Sequence, residues 1–168
     1  MIPTQAQIEE FVLNLEALTQ REVIRIKLSL ADELAVTDSK VGGMPYIPKG
    51  GALPRSAEGK PLFMLAQINC EQLPENNLYP KKGLLQFWIA ATDDYLYGID
   101  FDNPCSNDNK RVLYYPTIGE ALPAEDFAEH YSFEDCYLPF DADLQFALCF
   151  PKVLKVLRLM MKLLKGFL

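Results

Sequence analysis

No acidic residue falls in the last 18 positions of this chain. All 23 Asp and Glu lie within residues 1–150, which carry 11 Lys and Arg and a formal charge of −12, while Pro151 to Leu168 holds five basic residues; the net −7 conceals two parts of opposite sign. No cluster of Lys and Arg occurs before residue 151, and neutralising a phosphate backbone relies on such clusters, so a nucleic-acid partner is not expected. Histidine is nearly missing as well. His130 is the only one, so any mechanism with imidazole as general base must use it, with Ser132 or Cys136 as the nearest nucleophiles in sequence. No G-x-S-x-G turn surrounds Ser132, and His130 sits among Glu129, Glu134 and Asp135, as on an ordinary solvated segment. The cysteines Cys70, Cys105, Cys136 and Cys149 lie 35, 31 and 13 residues apart, which fits neither paired zinc ligands nor a dense disulfide framework, so they read as free thiols. Met1 to Glu10 has no basic region followed by an apolar run, so no secretory signal is expected and the location reads as cytoplasmic.

What is there suits a folded domain. At 168 residues the chain can bury roughly 70% of the surface its unfolded form exposes. Thr4 and Gln7 form a capping-box pair, and Ile8, Phe11, Val12, Leu15 and Leu18 recur at helical spacing, predicting an amphipathic helix over 4–20. From Ile24 to Leu30 the period becomes two, with Ile24, Ile26, Leu28 and Leu30 alternating with Arg25, Lys27 and Ser29, which predicts a half-buried strand. Glycines and prolines from Val41 to Gly59 predict a long shaped loop. Strands are expected over 62–69, 84–89, 111–115 and 145–150, and a short helix over 125–129 after Pro123. Without regular strand–helix alternation, the class is α+β with a mostly antiparallel sheet.

Several groupings merit weighing as sites. Asp93, Asp94, Asp100, Asp102 and Asp108 offer carboxylates, but an EF-hand loop starting at Asp100 needs Asp or Asn and then glycine where this chain has Pro104 and Cys105, so solvated turns are the favoured reading and no metal is assigned. Gly42-Gly43 lacks the Lys-Ser/Thr of a phosphate loop, and no cofactor is implied. Gln67 and Gln86 are polar residues inside apolar strands; two such amides either satisfy backbone groups in the core or bind a small polar ligand, for which Trp88, Tyr97 and Asp100 complete the candidate set.

At Gly42-Gly43-Met44-Pro45, Gly59-Lys60-Pro61-Leu62, Leu65 to Asn69, Leu73-Pro74, Pro80 to Gly83, Leu84 to Trp88 and Tyr97 to Phe101, the chain resembles the YwqG-like family of uncharacterised bacterial proteins over approximately residues 1–145. The resemblance implies a cytosolic α+β protein with a β-rich centre and supplies no catalytic residues. Two departures stand out. Leu53 precedes a proline where family members commonly carry an aromatic, and a basic tail replaces a further half with a second glutamine-bearing strand pair. If that half normally covers the sheet, a chain truncated in this way exposes apolar surface or unpaired strand edges, both of which favour association.

The division expected is therefore a body over 1–150 and a tail over 151–168. On a helix, Lys152, Lys155, Arg158, Lys162 and Lys165 gather within roughly 140° of arc and apolar residues fill the remainder, which predicts a basic amphipathic helix, too punctuated by charge to span a bilayer. Three readings of it stay open: it docks on the body, it results from a frame change or early stop, or it binds a membrane interface or a partner's groove. As a whole the sequence reads as a non-enzymatic binding module whose partner is a protein or a small polar ligand. The alternatives are a peripheral membrane protein held by 151–168 and, with less support, a metal-dependent enzyme or hydrolase.

Overall fold

The computed structural model describes residues 3–19, 21–91, 96–128, 131, 133 and 136–155. They divide into two compact units, one over Ile26–Phe150 and a smaller one from the described residues of the terminal segments Met1–Arg25 and Pro151–Leu168.

The smaller unit holds a helix, α1 (Gln5–Thr19), and a two-stranded ladder of β1 (Arg21–Ile24) with β8 (Lys152–Lys155). The capping box forms as its sequence predicts: the Thr4 N–H donates to Gln7 Oε1 at 2.9 Å and the Gln7 N–H to Thr4 Oγ1 at 3.4 Å, so two of the helix's unpaired amides find partners. The apolar stripe is only partly covered, with Ile8, Val12 and Leu15 half-buried and Phe11 and Leu18 exposed. The ladder corrects the tail. Lys152 and Lys155 do not open a helix; they lie on a strand antiparallel to β1, in the register Arg21↔Lys155 to Ile24↔Lys152. Lys-Val-Leu-Lys is too short to fix either period, and here pairing with a distant segment decides between them. Arg158, Lys162 and Lys165 lie outside the described residues.

The larger unit is built on a six-stranded antiparallel sheet. Its strands are β2 (Lys27–Leu30), β3 (Lys40–Gly42), β4 (Leu62–Asn69), β5 (Leu84–Ala90), β6 (Lys110–Tyr115) and β7 (Gln145–Cys149), in the order β2-β7-β3-β4-β5-β6. The strand expected from Ile24 to Leu30 is thus two strands, β1 and β2, in two different sheets, and β2 is an edge exposed at all four positions instead of half-buried. Similarly, the loop expected from Val41 begins later, because Val41 and Gly42 belong to β3. A short helix, α2 (Ala124–Ala128), follows Pro123.

One face of the sheet carries the core, where Ile47, Leu62, Met64, Trp88 and Ala90 pack with Leu53, Leu113, Leu122 and Tyr131. Residues 43–61 supply part of the cover. They are fastened by a bridge between Pro48 and Ala121 and by backbone bonds from Lys49 N to Glu120 O (2.9 Å) and from Leu122 N to Ile47 O (2.8 Å). β3 pairs with β4 only at Lys40↔Gln67 and Val41↔Ala66, since Gly42 and Gly43 take positive φ and turn the chain away. An aromatic cluster flanks the first half of β4 instead: Phe63 lies 5.4 and 5.5 Å from the rings of Phe133 and Phe140, and the Met64 N–H donates to the Tyr131 hydroxyl at 2.8 Å. Burial pushes the Tyr131 phenol well above its usual range, against the opposing pull of the Met64 amide. Tyr131→Phe is expected to lower stability by about 1–2 kcal/mol, because it leaves a buried amide without an acceptor while preserving ring packing. Urea denaturation checks this, and an unchanged midpoint excludes the bond as a contributor.

Candidate functional site

The registers place two rows of residues back to back across the sheet. On the core face run Ser29, Ala147, Lys40, Gln67, Gln86 and Leu113, each opposite the next. On the other face run Leu30, Phe146, Val41, Ala66, Phe87 and Val112, again each opposite the next. The usual arrangement is inverted at this level of the sheet. The covered side has three adjacent polar side chains at its centre, while the thinly covered side is wholly apolar.

The polar row is buried and saturated. Gln67 and Gln86 are both 0% exposed. Gln67 Oε1 accepts from the Tyr46 N–H at 2.9 Å and from Gln86 Nε2 at 2.8 Å, and Gln67 Nε2 donates to the carbonyls of Val36 (2.8 Å) and Asp38 (2.9 Å). Both lone pairs and both protons of that amide are committed, as burial of an amide requires. Gln86 Nε2 also donates to the Tyr46 carbonyl at 2.7 Å, and Gln86 Oε1 accepts from Trp88 Nε1 at 3.1 Å.

Together with Lys40 and Asn69, Gln67 clamps a stretch of backbone. Four consecutive carbonyls accept side-chain donors: Ala35 from Lys40 Nζ (3.0 Å), Val36 and Asp38 from Gln67, and Thr37 from Asn69 Nδ2 (3.1 Å). Ser39 continues the clamp, its N–H donating to Gln72 Oε1 at 3.0 Å and its Oγ accepting from the Asn69 N–H at 2.8 Å. Lys40 is 1% exposed. Burial lowers its pKa to about 8, and the nearby Asp38 carboxylate works in the opposite direction. Among the described residues, no buried side-chain nitrogen or oxygen lacks a partner.

Of the candidate ligand residues, the structure joins Gln67, Gln86 and Trp88 in one network. Tyr97 and Asp100 stand in the connection from β5 to β6. Tyr97 has φ of +50°, and Asp100 Oδ1 accepts from the Asp102 and Asn103 N–H groups, both at 2.9 Å, closing a turn. Asp93, Asp94, His130 and Ser132 lie outside the described residues. Among the described residues no group of three or more His, Cys, Asp and Glu converges as metal ligands, and all four cysteines are free thiols. Lys40, Asn69, Ser39 and Tyr46 escape a reading of the sequence: Lys40 stands in a polar stretch, Ser39-Lys40, and its burial follows only from the pairing of β3 between β4 and β7.

The apolar row is least covered at its ends. Leu30 on β2 is 65% exposed and Val112 on β6 is 63% exposed, with Leu28 and Tyr114 exposed beside them, and Phe146, Val41, Ala66 and Phe87 are half-buried between. Leu28 shares the face because it lies two residues from Leu30 on β2, as does Tyr114 two residues from Val112 on β6. The cation of this face in β6, Lys110, donates its ammonium to the Pro104 carbonyl.

Comparison with known families matches residues 39–157 to a domain of unknown function, DUF1963. No curated protein matches the chain. The match starts at Ser39, at the clamp, and takes in both sheet rows from β3 through β7 and the strand β8. On that span, which is most of its length, this chain belongs to the DUF1963 family.

Proposed function

We propose that this DUF1963 chain is a recognition module of the YwqG-like kind, and that it meets its partner with the apolar face of the six-stranded sheet. The observation that carries this is the row from Leu30 to Val112, apolar in all six strands and exposed at both ends. Exposed apolar residues grouped on one strand, as Leu28 and Leu30 are on β2 and Val112 and Tyr114 on β6, mark interaction sites more often than idle surface. The polar residues, by contrast, lie on the covered face with their hydrogen bonds already made, so a polar ligand there must displace the 35–38 backbone to be bound. Free thiols at Cys70, Cys105, Cys136 and Cys149 are in keeping with a reducing, cytosolic setting. The membrane-anchor reading of the tail has less support, since Lys152 and Lys155 lie on a strand, and among the described residues no helix is long and apolar enough to cross a bilayer.

The test is site-specific photo-crosslinking in cells, with the reactive side chain at Val112 and, as control, at exposed Glu58. Protein adducts, whether to a copy of this chain or to another protein, are expected from Val112 and not from Glu58. Equal yields at the two positions, or none at Val112, overturn the reading.

A further inference from the structure

We propose that the cleft between the 51–55 segment and α2 is a binding site for a free aliphatic amino acid of about leucine's size. The cleft has a volume of about 270 Å³ and is lined by Gly51, Ala52, Leu53, Arg55, Leu122 and Asp126. It shares no residue with the apolar row of the sheet, so it is a second and separate site. Backbone bonds hold its walls. The Gly51 N–H donates to the Pro48 carbonyl at 2.7 Å, the Leu62 N–H to the Pro54 carbonyl at 2.9 Å and the Leu122 N–H to the Ile47 carbonyl at 2.8 Å, and a β-bridge joins Arg55 to Pro61. Leu53 and Leu122 also pack against the core of the larger unit. A cleft formed in advance spares a small ligand the cost of ordering a loop.

The lining identifies the ligand. Ala52, Leu53 and Leu122 offer apolar surface on which an aliphatic side chain leaves water. Arg55 and Asp126 add one charge of each sign. The Arg55 guanidinium is held by its Nη1 bond to the Gly59 carbonyl at 2.8 Å, and a guanidinium is a planar fork of five donors that matches a carboxylate. A carboxylate such as that of Asp126 has two oxygens with lone pairs for several donors, so it can accept an ammonium alongside another bond. A zwitterion with an aliphatic side chain meets all three demands, whereas a simple acid sets its charge beside Asp126 and a simple amine sets its charge beside Arg55. Size fixes the rest. At about 30 Å³ for each water-sized group, the cleft holds about nine such groups, the number of heavy atoms in leucine. Both charged residues are exposed, so each ion pair contributes modestly and the Kd is expected on the order of 1 mM.

Amide NMR titration of the isotope-labelled full chain with L-leucine, up to about 20 mM, tests this. Saturable shifts are expected at the amides of Gly51, Ala52, Leu53 and Leu122. N-acetyl-leucine lacks the ammonium and leucinamide lacks the carboxylate, and each is expected to bind about tenfold more weakly or worse. These two probes also stand for the ends of a peptide, so they separate a free amino acid from a chain terminus. Arg55→Gln and Asp126→Asn are each expected to weaken leucine by about fivefold or more while the remaining resonances keep their positions. Should Asp126→Asn disturb α2, Arg55→Gln and the two analogues decide the matter without it. No saturable shift at the lining amides, either analogue binding as tightly as leucine, or an Arg55→Gln protein that binds leucine like wild type overturns the inference.

Discussion

Gln67→Leu is expected to remove on the order of 4 kcal/mol of stability from the larger unit, a large share of the roughly 5–15 kcal/mol that holds a domain of ordinary size. Leucine is similar in volume, so the loss does not come from a cavity. It comes from four groups that lose a partner together: the Val36 and Asp38 carbonyls, the Tyr46 amide and one proton of Gln86 Nε2. Each buried polar group left without a partner costs about 1–3 kcal/mol, and partial relaxation of the 35–38 backbone toward water reduces the sum. Gln86→Leu is expected to cost less, about 2–3 kcal/mol, because it strands the Tyr46 carbonyl, the Trp88 indole N–H and one lone pair of Gln67, which retains the Tyr46 amide. Urea denaturation of both variants checks the order. Equal losses, or a Gln67→Leu protein as stable as wild type, contradict the saturation of that amide. A double-mutant cycle is expected to show strong non-additivity, since the two amides share a hydrogen bond and both bond to Tyr46.

How far the sequence foretold this arrangement depends on the range over which each signal acts. The capping box at Thr4 and Gln7, the short helix after Pro123 and the strands β4, β5, β6 and β7 are written in local patterns that tertiary packing leaves in force. The two glutamines stand out because they interrupt apolar strands, but only the register Gln67↔Gln86 joins their side chains, and register is a property of the assembled sheet. The same holds for Lys40, whose burial is set by β7 pairing on one side and β4 on the other. Leu28 and Leu30 mislead for a related reason. Alternation states that one side of a strand is apolar, and at a sheet edge nothing in the pattern says whether that side is covered. At Lys152 to Lys155 the local pattern fits helix and strand alike, and the partner strand at Arg21–Ile24 lies about 130 residues away in sequence, beyond any window that reads periodicity.

Lys40 gives the clamp a pH dependence whose sign runs against the common case. Burial lowers its pKa from 10.5 in the unfolded chain to about 8 in the folded one, so below pH 8 both states hold the proton and the folded state bears the whole cost of a buried cation. Between about pH 8 and 10.5 the folded protein gives up the proton while the unfolded chain keeps it; the unfolded state then binds more protons, and stability rises with pH across that window. The full difference amounts to roughly 3 kcal/mol, with Asp38 already counted as the charge that opposes the shift. Tyrosines and other lysines titrate over the same range, so the measurement is a difference against Lys40→Met. That variant removes the ammonium and leaves the Ala35 carbonyl without its donor, a loss that does not vary with pH and cancels when two pH values are compared. Chemical denaturation at about pH 7.5 and 10.5 is expected to move the stability gap between the two proteins by about 2–3 kcal/mol in favour of wild type. A gap that stays constant with pH means that the Lys40 ammonium reaches water instead of the Ala35 carbonyl, and the clamp is then anchored by Gln67 and Asn69 alone.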